Sequence, residues 1–252
     1  MSVPEEVKGC TVGVVQTPGG VLMFKNRDLS QEYILNRTTV FQSTPEFHFL
    51  KGVNIKTKGL EGVSIGVNKH KVCVANTHIW TSPDVTYDVL CEKLVQEAAK
   101  KEDVPGIVEE FMRRHTVQGG RILVAAPGWT YLVEVLRKTF KLSEVAGSFA
   151  ITNHFSLISH EQEGLPGPGK SSLTRLETAQ AMMKGMSSLR ALKAMLRSHL
   201  PEKGGTSICN HGAGGGTESS HIIQIQGDYV AWSSLFGNPC ENDYHAIPLF
   251  QS

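Results

Sequence analysis

Cys10 is the residue of this sequence whose type and position best suit covalent chemistry. Gly9 precedes it, so no side chain obstructs the approach of the thiol to the preceding peptide bond, and a short polar leader lies upstream. Cleavage of the Gly9–Cys10 bond would leave a free α-amine with a pKa near ~8 beside a thiol with a pKa near ~8.5. Such a residue is a nucleophile with its own base. The alternative is a cysteine that packs as a small buried hydrophobe, which is its usual state inside a strand.

Polar side chains at two strand ends could complete a site around this thiol. Asn26 and Asp28 close the second predicted strand, and they share a face because side chains alternate along a strand. We expect that face to lie beside Cys10; the alternative for Asp28 is a turn residue at the strand end. Asn153 lies between apolar strand fragments, where an unbonded amide costs about 1–3 kcal/mol. It either ties a strand end to a neighbouring turn or donates to a reacting carbonyl.

Six short segments share their order and spacing with a known family. They are Gly9-Cys10-Thr11, Asn26-Arg27-Asp28, Gly66-Val67-Asn68 to Asn76, Thr152-Asn153-His154-Phe155, Ser171-Ser172-Leu173-Thr174-Arg175 and Gly237-Asn238-Pro239-Cys240. Together they resemble the acyl-coenzyme A:6-aminopenicillanate acyltransferase family of N-terminal-nucleophile (Ntn) hydrolases, whose members cleave themselves at a Gly–Cys bond. The resemblance extends from Gly9 to Phe250. Relatives that act on amides other than penicillins match at least as well.

The resemblance implies catalytic roles for three residues. Cys10 would be the nucleophile. Asp28, eighteen residues later, would hold the liberated α-amine, and a nearby carboxylate favours the protonated form of that amine. Asn153 would donate to the oxyanion of the tetrahedral intermediate. His154, one residue along the strand, would face away and be structural.

The same resemblance implies three substrate-binding residues, Asn26, Ser172 and Arg175. Ser172 and Arg175 belong to a segment that lies near the site in the family, although a serine at a helix start is by default an N-cap. Bile-salt and penicillin V hydrolases are related Ntn families that carry an arginine sixteen residues after the cysteine, where this chain has Asn26. Acidic steroid conjugates are therefore not the expected substrates.

A phosphate-loop pattern is also present, from Gly164 to Ser171. The segment before it, Glu161-Gln162-Glu163, is polar instead of a buried strand. Pro166 and Pro168 remove two backbone N–H groups that would bind phosphate. Nucleotide binding by residues 164–171 is therefore kept only as an alternative.

The cysteines and histidines show no recognised metal or disulfide pattern. The five cysteines are an odd number without a C-x-x-C pair, which argues against a disulfide framework and a zinc ribbon. His70, Cys73 and His78 fall on a predicted hairpin with mixed facing and no ligand spacing. We expect no metal and no cofactor, and a reducing cytoplasm as the compartment.

Composition excludes several classes of function. The chain has 252 residues, of which 40% are hydrophobic and 19% charged, as in ordinary globular proteins. Its net charge of +1 gives no reason to expect nucleic acid or an anionic membrane as a partner. No apolar run approaches the ~20 residues that span a bilayer, and residues 1–6 do not have the pattern of a secretory signal. The sequence leaves open whether the chain forms a homo-oligomer.

The predicted elements alternate between antiparallel strands and helix pairs. Strands are predicted at 12–16, 21–26, 47–55, 63–67, 72–77, 121–126, 130–136, 147–155, 206–209, 220–226 and 229–235, and helices from 82, from 103, at 173–186 and at 188–200. This order does not suggest regular βαβ units. It fits an α+β fold in which two stacked antiparallel sheets are flanked by helices, the αββα sandwich of Ntn hydrolases.

These observations lead to one main interpretation and one alternative from another class. Residues 1–9 would be a leader removed by self-cleavage at Gly9–Cys10, and residues 10–252 a single Ntn-like domain. The mature chain would be an amidohydrolase or acyltransferase that acts on a small N-acyl amide through a thioester on Cys10. The alternative is a non-catalytic Ntn-like protein that keeps its leader and binds a metabolite.

Overall fold

The computed structural model describes residues 9–36, 39–53 and 59–249. The elements of the first half are β1 (Thr11–Thr17), β2 (Gly20–Ser30), α1 (Gln31–Leu35), β3 (Thr39–Ser43), β4 (Phe47–Val53), β5 (Leu60–Asn68), β6 (Cys73–Trp80), α2 (Tyr87–Glu97), α3 (Asp103–Arg114) and β7 (Val117–Ala126). They are followed by β8 (Trp129–Arg137), β9 (Thr139–Glu144), β10 (Phe149–Ile151), α4 (Lys170–Met183), α5 (Leu189–Leu196), β11 (Gly215–Gln226), β12 (Tyr229–Phe236) and β13 (His245–Ile247).

Two antiparallel sheets stack face to face at the centre of the fold. One has six strands in the order β10-β1-β2-β11-β12-β13, and the other has seven in the order β3-β4-β5-β6-β7-β8-β9. Alternate side chains of each sheet point between them. Val12 and Met23 of the first sheet thereby meet Leu50, Ile65 and Leu123 of the second in one buried core.

Helices cover the outer face of each sheet. Leu94 of α2 and Val108 of α3 pack on the seven-stranded sheet. Leu192 and Leu196 of α5 pack with Phe24 on the six-stranded sheet. The order helix–sheet–sheet–helix confirms the α+β sandwich that the sequence predicts. None of the helices in the described residues is long and apolar enough to cross a membrane.

The hairpin of β1 and β2 carries the residues of interest. Its register runs from Thr11 opposite Asn26 to Thr17 opposite Gly20. The connecting turn contains Gly19 at a φ of 70°, a conformation that glycine adopts without a steric penalty. β2 also pairs along its length with β11, so the hairpin lies inside its sheet and both of its faces are buried.

Several predicted elements differ from the structure. Residues 206–209 form turns and bends instead of a strand, because the Ser207 hydroxyl donates to the carbonyl oxygens of Gly204 and Cys209 and so competes with ladder bonds. The helix predicted from residue 82 is α2, which begins at Tyr87, since Thr86 caps it by accepting from the Asp88 backbone N–H. The strand predicted at 147–155 contains only β10. The end of the one predicted at 47–55 lies outside the described residues.

Candidate active site

Cys10 lies immediately before β1, and its side chain points between the two sheets. It is 6% exposed and belongs to the same core cluster as Val12, two residues along the strand. Alternation along β1 explains this placement, because residues 10 and 12 share a face. The thiol's face of the hairpin is therefore the one that looks toward the seven-stranded sheet.

Lys25 occupies the thiol's face and is buried. Val12 pairs with Lys25 across the hairpin, and Cys10 shares the face of Val12. Lys25 Nζ donates to the carbonyl oxygens of Ser64 at 3.2 Å and Asn76 at 2.7 Å, and to Asn76 Oδ1 at 3.0 Å. Burial lowers the pKa of Lys25, and the negative charge that Cys10 can carry opposes this shift. The thiol thus has a buried cation as a neighbour.

Asn26 points the other way, into the helix layer, which corrects its predicted place at the substrate. Its Nδ2 donates to the carbonyl oxygens of Leu196 and Ile208, both at 2.9 Å, and its Oδ1 accepts from Ser220 Oγ at 2.6 Å. These bonds occupy the amide and make Asn26 a structural tie. The cation on the thiol's face is Lys25, one residue earlier. The sequence signal for it was a lysine that follows the apolar run 21–24 of the strand and alternates in facing with Asn26.

Asp28 lies close to Gly9, the residue that precedes Cys10. A Cβ built on Gly9 would lie 3.3 Å from Asp28 Oδ2. The carboxylate accepts from Asn210 Nδ2 and Thr217 Oγ1, each at 2.9 Å. Burial raises the pKa of Asp28 to about 6, against the opposing charge of Arg175. The predicted proximity of Asp28 to the Gly9–Cys10 junction is present, although its side chain approaches from the face opposite the thiol.

Arg175, in the first turns of α4, connects most of the predicted site residues. Its Nη1 donates to the Cys10 carbonyl oxygen at 2.6 Å and to Thr11 Oγ1 at 3.2 Å. Its Nη2 donates to Asn153 Oδ1 at 2.9 Å, and its Nε to Ser171 Oγ at 3.3 Å. A Cβ on Gly9 would stand 3.1 Å from Nη2. The guanidinium therefore lies against the backbone on both sides of the Gly9–Cys10 bond.

Asn153 is held at both ends of its amide. Its Nδ2 donates to Thr77 Oγ1 and to the His78 carbonyl oxygen, each at 2.7 Å, while its Oδ1 accepts from Arg175. Both N–H groups are thus engaged with β6. Donation to an oxyanion, the role that the sequence predicts, requires one of these bonds to be exchanged.

Ser172 bonds to Thr152 and His154, the residues on either side of Asn153. Its Oγ donates to Thr152 Oγ1 at 3.0 Å and lies 2.8 Å from His154 Nδ1, and its carbonyl oxygen accepts from Thr152 Oγ1. Burial and the charge of Arg121 lower the pKa of His154 to about 4, so this histidine is neutral at physiological pH. Ser172 therefore supports the segment that carries Asn153, and its bonds are not directed at Cys10.

A buried ion pair supports the same segment from the other side. Arg121 Nε lies 2.9 Å from Glu134 Oε1, and both side chains are almost fully buried. The Glu134 carboxylate also accepts the backbone N–H groups of residues 156–158, and Arg121 Nη2 donates to Ser156 Oγ at 2.7 Å. The turn after Asn153 is thereby fixed by a charge pair that sequence reasoning did not find.

A cleft of about 710 Å³ opens next to this site. Its walls include the two side chains that donate to Asp28. They also include Thr39 and Glu218, which both accept from Arg27 Nη1, at 2.6 and 3.2 Å. Cys10 does not line this cleft. The cleft therefore reaches residues that surround the Gly9–Cys10 junction and stops short of the sulfur.

The segment from Gly164 to Ser171 does not have the setting of a phosphate loop. β10 ends at Ile151, and residues 161–164 form turns, so no strand leads directly into the segment. Ser171 Oγ donates to the Gly205 carbonyl oxygen and accepts from Arg175. This serine is therefore part of the support of Arg175.

Three solved structures have folds similar to that of this chain. The chain matches the Caenorhabditis elegans N-acylethanolamine-hydrolyzing acid amidase ortholog with a TM-score of 0.56 and 14% identity, over 85% of this chain and 92% of the other. It matches a mutant of conjugated bile acid hydrolase from Clostridium perfringens with a TM-score of 0.57 and 11% identity, over 95% and 96%. It matches penicillin V acylase from Agrobacterium tumefaciens with a TM-score of 0.57 and 11% identity, over 90% and 82%.

These likenesses establish a shared fold across nearly the whole chain. No family model matches the sequence, and no curated protein matches it. The acyltransferase family that the sequence motifs resemble is therefore not confirmed by the comparisons, whereas the sandwich common to these hydrolases is.

Proposed function

We propose that this chain is a cysteine Ntn amidohydrolase or acyltransferase that acts on a small N-acyl amide. The observation that carries the proposal is the convergence of Asp28 and Arg175 on the Gly9–Cys10 peptide, with Lys25 on the thiol's face. A lysine on the thiol's face supports the use of Cys10 as a nucleophile, and the Asp28 carboxylate close to Gly9 would hold the ammonium group that cleavage creates. The fold shared with known amide hydrolases supports the same conclusion.

Maturation would begin with attack of the Cys10 sulfur on the Gly9 carbonyl carbon. The peptide C–N bond breaks as a thioester bond forms, and the nitrogen of Cys10 takes up the thiol proton and becomes an amine. Water then hydrolyses the thioester, which releases residues 1–9 with a free carboxylate and regenerates the thiol. Arg175 holds the Cys10 carbonyl oxygen throughout, and glycine at position 9 avoids the close contacts that a side chain would make with this guanidinium.

Turnover would use the same sulfur and the new α-amine. The Cys10 thiolate attacks the substrate carbonyl, and the α-amine passes the proton to the leaving amine. Asn153 would donate to the oxyanion by exchanging its bond to Thr77 Oγ1 for one to the substrate oxygen. The resulting thioester is resolved by water in hydrolysis or by a second amine or thiol in acyl transfer. The cleft beside Asp28 is the proposed path for the acyl group.

Thioester trapping tests the proposal. Protein that begins at Cys10 is mixed with a panel of N-acyl amides, quenched in acid and analysed by peptide mapping, with Cys73→Ala as a control because Cys73 is buried on β6. We expect the acyl mass on the peptide that starts with Cys10, in wild type and in the control alike. Acylation of a different cysteine, or saturable binding of these amides with no acylation, would overturn the assignment in favour of a binding protein.

A further inference from the structure

Four potential metal ligands converge at a point that the proposed reaction does not use. They are His199, just after α5, Cys209 and His211, in the loop before β11, and Cys240, in the turn after β12. Their ligating atoms all lie within 4.8 Å of one another. Two connections thus contribute to one cluster: the α5–β11 connection supplies three ligands and the β12–β13 connection supplies Cys240. We call it the Cys209–Cys240 cluster.

The distances within the cluster are close to those of a tetrahedral site. His211 Nε2 lies 3.2 Å from His199 Nε2, 3.4 Å from Cys209 Sγ and 3.3 Å from Cys240 Sγ. Zinc–nitrogen bonds of ~2.0–2.1 Å and zinc–sulfur bonds of ~2.3 Å, arranged as a tetrahedron, require about 3.3 Å between nitrogens and about 3.6 Å between nitrogen and sulfur. The three distances from His211 Nε2 therefore agree with those of a zinc site to within a few tenths of an ångström.

We propose that the Cys209–Cys240 cluster binds a structural Zn²⁺ ion through two thiolates and two imidazoles. Two sulfur and two nitrogen ligands in a tetrahedron are typical of zinc, and four protein ligands leave no open position for catalysis. Binding forms two Zn–S and two Zn–N bonds, and the two thiol protons leave to solvent. The charges of the ion and the two thiolates cancel, so the site can be largely enclosed without an unpaired charge.

Backbone hydrogen bonds hold the segments that carry the cluster ligands. The Cys209 N–H donates to the Ser198 carbonyl oxygen at 3.0 Å, and the His211 N–H donates to the Gly204 carbonyl oxygen at 3.1 Å. These bonds hold the loop before β11 against the end of α5. Cys209 is buried and the other three ligands are partly buried. The ion would therefore join loops that are in contact without it.

Zinc at this position would also affect Asp28. Asn210, which donates to Asp28, lies between the two ligands Cys209 and His211. Its own Oδ1 accepts from the Gly212 N–H at 2.8 Å, and its N–H donates to Thr217 Oγ1 at 2.9 Å. The ion would thus fix both neighbours of a residue that positions the carboxylate. The zinc site itself does not depend on Cys10 being a nucleophile.

Metal analysis and cobalt spectroscopy test the proposal on the full chain. The protein is produced with zinc in the medium, freed of loose metal by gel filtration and analysed for zinc by mass spectrometry. We expect about one zinc per chain. After removal of zinc with a chelator, Co²⁺ should give the intense visible bands of tetrahedral cobalt and a thiolate-to-cobalt charge-transfer band. The melting temperature should rise when zinc is restored, because the ion binds only the folded site.

Matched variants separate the cluster from other cysteines and histidines. Cys240→Ser and His199→Asn should each lower zinc content and weaken the cobalt bands, whereas Cys73→Ala and His245→Asn should retain both. Cys240 and His199 are partly exposed, so these variants are expected to fold. Folded wild type without zinc and without tetrahedral cobalt bands would overturn the proposal. So would a Cys209–Cys240 disulfide in freshly isolated protein that accepts no metal after reduction.

Discussion

Cys10 and the Cys209–Cys240 cluster are two thiol environments in one chain, and they are built on opposite principles. Around Cys10 the neighbours are cations, Lys25 on the thiol's face and Arg175 on the backbone, and both donate hydrogen bonds to other groups. Around Cys209 and Cys240 the shared neighbour is the His211 imidazole, whose Nε2 lies 3.3–3.4 Å from each sulfur. The first arrangement places positive charge beside one sulfur, and the second offers four ligands to one ion.

The comparison shows what distinguishes a reactive cysteine from a ligand cysteine. Both sites have basic side chains close to sulfur, so proximity of a base alone does not tell them apart. A nucleophile needs a stabilised negative charge and an open approach for a carbonyl carbon. A metal ligand needs several lone pairs at bonding distance from one point.

The largest difference between the two thiol sites should appear in activity. Cys10→Ala removes the nucleophile, so hydrolysis of an N-acyl amide should fall by at least ~10⁴-fold. Cys240→Ser acts only through zinc and Asn210, so its loss should stay within ~10-fold. Turnover per folded chain, with folding checked by circular dichroism, measures both. A larger loss in Cys240→Ser than in Cys10→Ala would reverse the assignment of the two sites.

Asn153→Ala should give the next largest effect. Loss of one oxyanion donor lowers turnover by ~10²–10³-fold with a smaller change in substrate affinity. The variant should also melt at a lower temperature, because its amide bonds to β6 and to Arg175 are lost. Turnover is normalised to titrated Cys10 in processed protein. Near-normal turnover with a lower melting temperature would leave Asn153 a purely structural role.

Lys25→Met sharpens the comparison by altering one thiol and not the other. Without the buried ammonium group the sulfur loses the positive charge on its face of the hairpin, so alkylation of Cys10 at neutral pH should slow by ~10-fold. Alkylation of Cys240 in the same metal-free sample serves as the internal reference and should not change. Lys93→Met, on the surface of α2 and paired with Glu97, is the matched control. Equal slowing at both cysteines would point to a general loss of structure.

Much of the architecture could be predicted from the sequence, because strand alternation, helix stripes and glycine turns are local signals. The β1–β2 hairpin, the helix pairs and the sandwich follow from them. These local signals did not determine the face on which each side chain lies. Asn26 was predicted at the substrate, yet the hairpin register puts Lys25 on the thiol's face. The four cluster ligands were missed as well, because Cys240 comes from a separate connection and His199, Cys209 and His211 do not have a recognised zinc-ligand spacing.

An effect on stability instead of reactivity is expected from Asp28 in the Cys10→Ala precursor. Its folded pKa of about 6 lies above the ordinary value of 3.8, so the folded state binds the proton more tightly than the unfolded state. Stability should therefore fall as pH rises from about 4 to about 6, by up to roughly 3 kcal/mol. Asp28→Asn in the same background should remove this slope. Urea unfolding across that pH range measures it, and an unchanged slope would exclude Asp28 as the source.

Intact mass of the purified chain is the most direct test of Cys10 as an N-terminal nucleophile. Freshly purified wild type should have lost residues 1–9 and should begin at Cys10, whereas Cys10→Ala should keep the full leader. Arg175→Met should slow the cleavage, because the guanidinium no longer holds the Cys10 carbonyl oxygen. Wild type that stays at full length and yet hydrolyses N-acyl amides would contradict the mechanism.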